Sequence, residues 1–408
     1  MDPDFRAPAF LVDHIRSILA FYDPRVVDPR GGFFQCFLDD GTIFDASTRT
    51  LVGSCRFTFN YAMAARRFGG AGDSAPDYLA WARHGLAYLR EAHRRPDGEG
   101  YIWRIEAGRP VERTNHCYGL AFVLLAHAAA LQAGIAEARP GIAETFALME
   151  RHFWSERDGL YANEADADWR VSPYRGQNDN MHACEALIAA FEATGERAYL
   201  ARAATLAENI TRRQAALADG PAGEHPIWEH YRTDWSLDLD YARGDRSNHL
   251  RPWGVQTGHQ TEWAKLLLIL DRHLPAPWHL ARARELFAPA IAHGWDSEHG
   301  GLIYGYDLAG NAYDRDKYFW VQAESLAAAA LLASRTGEAR YWECYDRIWS
   351  YAWRCFVDHR HGAWYRILRP DNTRPDNRKT YSNKADYHTM GACHEVLREL
   401  ESAASRRP

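Results

Sequence analysis

The 408-residue sequence has no CxxC pair, no block of like charge and no apolar run long enough to span a bilayer. Each absence excludes something. The seven cysteines, at 36, 55, 117, 184, 344, 355 and 393, are odd in number and scattered. They read as small core residues in a reducing compartment, not as a disulfide framework. The net charge of −6 comes without a basic stripe, which argues against nucleic acid as a partner. The longest apolar stretch, Gly119 to Gly134, is interrupted by His127 and Gln132 and is too short for a membrane span. The opening MDPDFRAPAF lacks the basic-then-apolar layout of a secretory signal, so a cytoplasmic protein is expected. There is no GxxxxGK and no strand-anchored GxGxxG, so no nucleotide, nicotinamide or flavin cofactor is implied.

Aromatic side chains, by contrast, are abundant. Fifteen Trp and 21 Tyr are present, many in polar, Gly-rich stretches. Rings beside Asp, Arg and His in loops suit stacking on sugar faces; they serve equally well to pin long loops to the body.

Apolar spacing and end signals predict twelve helices: 7–22, 51–68, 75–93, 115–134, 139–153, 178–194, 197–215, 256–273, 277–294, 317–335, 338–356 and 384–402. Their connections alternate. Even helices run into odd ones through short links such as 194-TGE-196 and 336-TGE-338. Odd helices are followed by long stretches, five of which open alike: 31-GGFFQCF-37, 98-GEGYIW-103, 158-DGLYAN-163, 300-GGLIYGY-306 and 362-GAWYRIL-368. A Gly turn followed by alternating aromatics reads as a short strand of a hairpin. The fourth unit departs, with 226-PIWEHYRTDWSLDLDYA-242 in the longest insertion.

Six helix pairs at a period of about 60–70 residues can close into an (α/α)6 barrel, an all-α fold with hairpins in the long loops at one mouth. Even helices, such as 325-SLAAAALLA-333, are apolar all round and belong inside; odd helices carry a charged face. A linear solenoid is the competing arrangement. The whole chain, 1–408, is expected to be one catalytic domain.

In that ring the starts of the even helices meet at one mouth. Each carries polar or aromatic groups before its apolar run, as in 256-QTGHQTEWAKLLLIL-270. Arg56, His116, His182, Glu185, His259, Glu262, Trp320, Glu324 and His388 are the groups that would converge there. One histidine at a helix start is more often a cap or a packing residue; four at equivalent places suggest a shared pocket. Glu185 and Glu324 fit better as groups that hold neighbouring helices together. Neutral histidines, an arginine and stacking rings suit proton transfer at a carbon next to a carbonyl. Three rivals remain open. The recurring H-x-x-E spacing resembles a metal site, but in the reverse of the usual Glu-x-x-His order. A glycoside hydrolase would need two carboxylates facing each other across the pocket. A non-catalytic sugar-binding or protein-binding module could use the same scaffold.

At 56-RFTFNYA-62, 178-NDNMHACEA-186, 258-GHQTEWAKLL-267, 319-FWVQAE-324 and 387-YHTMGACHE-395 the sequence resembles the N-acylglucosamine 2-epimerase superfamily. The resemblance covers essentially the whole chain, and 386-DYHTMGA-392 is closer to its aldose–ketose isomerase branch. By that similarity the fold is an (α/α)6 barrel and the two acid/base histidines are His259 and His388. Arg56, Tyr118, Asn178, His182, Glu262 and Trp320 become sugar contacts. The resemblance implies no metal and no cofactor. The expected substrate is a monosaccharide, with D-mannose and D-fructose interconverted, and D-lyxose and D-xylulose as a further pair. Sulfoquinovose isomerisation and sugar 2-epimerisation are the alternatives within the superfamily. The long loop 216–254 reads as a lid over a small pocket. Monomer and homodimer are both open.

Overall fold

The computed structural model describes residues 2–69, 77–246, 248 and 251–405. Among them are twelve α-helices: α1 Pro8–Tyr22, α2 Leu51–Phe68, α3 Tyr78–Tyr88, α4 Cys117–Gln132, α5 Arg139–His152, α6 Gln177–Thr194, α7 Arg197–Glu208, α8 Thr257–His273, α9 Pro277–Gly294, α10 Phe319–Thr336, α11 Ala339–Cys355 and α12 Tyr387–Ser405. The predicted bounds fall within a few residues of these. The two larger shortfalls lie at α3 and α7, which continue as single π turns, Leu89–His93 and Asn209–Gln214.

The even helices form the inner ring. Each packs on the next, from α2 through α4, α6, α8 and α10 to α12, and α12 returns to α2. The outer helices α3, α5, α7, α9 and α11 back their preceding inner helices, while α1 backs α12. The chain's first helix thus seals its last, and the solenoid alternative is excluded. Composition explains the division. In α10, Val321 to Ala333 are all buried, and α4 is nearly as enclosed. A helix surrounded by protein has no face on which unpaired charge is tolerated, and each buried Leu contributes about 1.5–3 kcal/mol. The TGE links work because Gly195 and Gly337 take left-handed φ values of 77° and 72°, which end α6 and α10.

The aromatic hairpins recur as predicted. After each outer helix the chain pairs back on itself at Val27–Phe33, Arg94–Tyr101, Trp154–Tyr161, Trp295–Leu302 and Val357–Trp364. The fourth unit again differs, pairing Tyr231 with Leu237. A second set of pairings joins neighbouring units. The strand just before each inner helix bonds to the next unit's loop, at Thr50–Arg104, His116–Glu164, Gly176–His230, Gln256–Gly305 and Tyr318–Ile367. Thr380–Phe37 joins the last unit to the first. These ladders fix the inner-helix N-termini around one mouth. No helix is long and apolar enough to cross a membrane among the described residues.

Candidate active site

Below that mouth lies a pocket of about 160 Å³. All eight residues predicted as catalytic or sugar-binding line it: Arg56, Tyr118, Asn178, His182, His259, Glu262, Trp320 and His388. They come from all six inner helices, each from the first two turns. Helix N-termini carry unpaired N–H groups and a positive dipole end, so the pocket favours oxygen-rich or anionic groups.

His259 is the third residue of α8. Its Nδ1 lies 2.9 Å from Glu229 Oε1 and 2.9 Å from Gln177 Nε2. Trp263 Nε1 donates to Gln177 Oε1 at 2.7 Å, which turns the amide nitrogen of Gln177 toward Glu229 Oε2, 3.0 Å away. A carboxylate oxygen at 2.9 Å from Nδ1 requires a hydrogen between them. His259 therefore donates to Glu229 through Nδ1, and Nε2 is the ring nitrogen available to the pocket.

His388, the second residue of α12, is tied to a carboxylate in the same way. Its Nδ1 donates to Glu324 Oε1 at 2.6 Å. Its Nε2 lies 3.3 Å from Arg56 Nη2. A guanidinium can only donate, so Nε2 accepts and is unprotonated. Burial pushes the His388 pKa well below 6.5, reinforced by Arg56, His182 and Lys265. The ring is a neutral base at neutral pH. Both imidazoles pack against Trp320, with centroids 5.0 Å and 5.8 Å from the indole.

Trp320 in turn explains Gly258. A Cβ on that glycine would lie 2.2 Å from Trp320 Cζ3, so only glycine lets the indole lie over the first turn of α8. Arg56 is clamped between the rings of Phe122 and Tyr387, 4.5 Å and 4.9 Å from its guanidinium carbon. It donates to Tyr118 Oη at 3.1 Å and to the Asn383 carbonyl at 2.5 Å. Glu262 is 1% exposed, and neither of its carboxyl oxygens has a hydrogen-bond partner among the described residues. Burial and the neighbouring Glu324 carboxylate drive its pKa well above 4.5, with Lys265 opposing, so it is held as a neutral acid. Asn178 Oδ1 is likewise buried without a partner. Both are polar groups waiting for a ligand's hydroxyls.

Three expectations need correction. His116 does not line the pocket; its ring packs on Trp103 at 4.1 Å, with Nδ1 3.7 Å from Glu164. Its strand pairing turns it outward, so three histidines converge and not four. Glu185 and Glu324 lie behind the pocket wall, where they face Lys265 of α8. Glu262 is the only carboxylate among the described lining residues, so the opposed pair of a glycoside hydrolase is absent there.

Sequence reasoning missed several lining residues: Tyr304, Tyr318, Arg366, Tyr381, Asn383 and Lys384. It also missed the supports Glu229 and Gln177. Glu229 sits in the fourth, irregular insertion, where no repeat pattern marks it; residues 247, 249 and 250 of the lid expected there lie outside the described residues. Two trios bring possible metal-ligand atoms within 4.8 Å of one another, His182–Glu185–Glu262 and Glu262–Glu324–His388. A cation already stands among these carboxylates, the Lys265 ammonium, 2.5 Å from Glu324, 3.8 Å from Glu185 and 3.9 Å from Glu262.

A barrel mouth that presents two carboxylate-bound imidazoles, an arginine and an indole to one small pocket has the groups that acid/base chemistry on a compact polar molecule requires. Comparison with known proteins places it further. The N-acylglucosamine 2-epimerase (GlcNAc 2-epimerase) family model matches residues 32–392. The chain is 50% identical over 399 residues to the D-mannose isomerase of Marinomonas mediterranea, covering 98% of this chain and 99% of that one. It is 37% identical over 345 residues to the D-mannose isomerase of Thermobifida fusca, covering 83% and 82%. A crystal structure of a D-mannose isomerase superposes with a TM-score of 0.93 at 49% identity, over 98% of this chain and 100% of the other. The protein belongs to the N-acylglucosamine 2-epimerase family, and it is an isomerase with an (α/α)6-barrel fold.

Proposed function

We propose that the protein interconverts D-mannose and D-fructose without a metal, and D-lyxose and D-xylulose by the same steps one carbon shorter. The observation that carries this reading is the pair of imidazoles, each tied to a carboxylate through Nδ1 and open through Nε2 to one pocket. Their setting is a chain half identical to a D-mannose isomerase.

The steps follow from the geometry. One imidazole and the neutral Glu262 assist opening of the sugar ring. An Nε2 lone pair then takes the C2 hydrogen as a proton, leaving an enediolate whose oxygen charge faces Arg56. The imidazolium returns the proton to C1, while a second proton moves from O2 to O1. Mannose becomes fructose with no net change in atoms or electrons. The other imidazole serves the oxygens, Trp320 covers a sugar face, and Tyr118, Asn178 and His182 hold hydroxyls. Lys265 supplies the buried positive charge in the carboxylate cluster, which supports the metal-free form of the proposal.

A sugar with an anionic substituent, such as sulfoquinovose, is less well matched. The extra cations of the pocket are already neutralised, Arg366 by Asp376 at 3.3 Å and Lys384 by Asp386 at 2.5 Å. The test is incubation with D-mannose and a chelator in D2O, read by NMR. Fructose with label confined to C1 is expected. Glucose labelled at C2 would make the enzyme an epimerase, and no product from any aldohexose or aldopentose would end the proposal.

A further inference from the structure

Lys265 moves no proton in the chemistry above, yet it is a buried lysine on an inner helix, only 6% exposed. Isolated, it would be costly; here it is the hub of three glutamates from three inner helices. Its closest partner decides its part. Nζ donates to Glu324 Oε2 at 2.5 Å, and the other oxygen of that carboxylate accepts from His388 Nδ1 at 2.6 Å. Lysine, glutamate and histidine thus form one chain, and its far end is the open Nε2 in the sugar pocket.

We infer that Lys265 is a positioning residue for His388: by keeping Glu324 an anion, it holds the imidazole in the tautomer and orientation that leave Nε2 free. The other groups around Lys265 are consistent with that part. Glu185 is the second anion; burial raises it, but Lys265, His182 and Tyr387 outweigh burial and pull it down. Burial raises both Glu262 and Glu324, and Lys265 is the group that pulls each of them down. Arg56 and His182 face His388 from α2 and α6, so the lysine is one of several positive or polar groups about it. Only Lys265 reaches the carboxylate that His388 donates to. This inference rests on the isomerase reading above.

A second cavity makes the idea testable. It has a volume of about 930 Å³ and opens toward the C-terminal ends of the inner helices, away from the sugar mouth. Arg67, Glu192, Arg398 and Glu401 lie along it, and Lys265, Glu324 and His388 form part of its wall. A small alkylammonium ion can therefore approach the Lys265 position without passing the sugar.

The experiment uses the full-length protein with Lys265→Met, Lys265→Ala and Lys265→Arg, with wild type assayed alongside. Lys265→Met should lower kcat by about 10²-fold or more, the scale of disabling an acid/base group, while KM for mannose moves little. Lys265→Arg should restore part of the rate. Lys265→Ala should regain activity with added ethylammonium or propylammonium, in a manner not competitive with mannose. If Lys265→Met does not fold, Lys265→Met/Glu324→Gln removes the stranded carboxylate together with its cation, and the same loss is expected. A folded Lys265→Met, or that double variant, with kcat within about threefold of wild type would overturn the inference. So would a folded Lys265→Ala that no alkylammonium rescues. A wild-type enzyme inactive on every aldose would instead count against the isomerase reading.

Discussion

The two imidazoles of the pocket are each tied through Nδ1 to a carboxylate, but the two carboxylates come from different parts of the molecule. His388 leans on Glu324, which belongs to inner helix α10 and is itself held by Lys265 of α8. His259 leans on Glu229, which belongs to the irregular fourth loop and is held by Gln177 at the start of α6. One support is built into the barrel wall with a buried ion pair. The other is a loop residue secured by neutral hydrogen bonds. The contrast teaches that catalytic geometry and barrel stability are fused at His388 but separable at His259.

The largest effect should come from removing either ring. His388→Ala or His259→Ala is expected to lower kcat for mannose isomerisation by about 10²–10⁴-fold with the thermal transition little changed. Replacing the supports sharpens the comparison. Glu229→Gln should cost about 10²-fold in kcat by releasing the Nδ1 hydrogen, as removal of an orienting carboxylate does in other histidine bases. Its effect on stability should stay near 1 kcal/mol, one hydrogen bond. Glu324→Gln should lower activity similarly but also strand Lys265, and breaking a buried pair costs about 3–5 kcal/mol, read by denaturant titration. Equal stability losses in the two variants would erase the distinction.

The difference between the two supports also marks what was legible in the sequence. Twelve helices, their alternation and six of the eight predicted pocket residues could be read, because each lies in or near a helix whose 3.6-residue period and end signals are local; Tyr118 and Asn178 came only from the family resemblance. Glu229 could not. Its position follows from the pairing of Gly176 with His230 and of Arg175 with Tyr231, a contact between units that no local pattern announces. Tyr304, Tyr318 and Arg366 were lost for the same reason, since they hang on hairpins whose register is set by a neighbouring unit. His116 failed in the other direction: it has the right place in its repeat, but strand pairing rotates it onto Trp103. Lys265 drew no notice in the sequence, because lysine is rarely buried unless paired and two of its partners lie 59 and 80 residues away.

Smaller effects concern pH and packing. The His388 pKa is depressed, so the ring is neutral in the folded protein where it would be charged in the unfolded chain. As pH falls below about 6.5, the unfolded state gains a proton that the native ring refuses, and this group alone removes up to about 1.4 kcal/mol of stability per pH unit. The same shift keeps the base active: kcat/KM should lose its acid limb well below pH 6.5, in contrast to an enzyme whose base titrates normally. Gly258→Ala should displace Trp320, raising KM for mannose and costing about 1–3 kcal/mol of stability, an overpacking effect confined to the side of the pocket where His259 sits.

The central claim is spatial, and a crystal of the protein soaked with D-mannose tests it most directly. The account predicts an opened sugar beneath Trp320, with C1 and C2 about 3–3.5 Å from an imidazole Nε2 and an oxygen on Arg56. A sugar seated elsewhere, or one whose C2 lies out of reach of both His259 and His388, would contradict it.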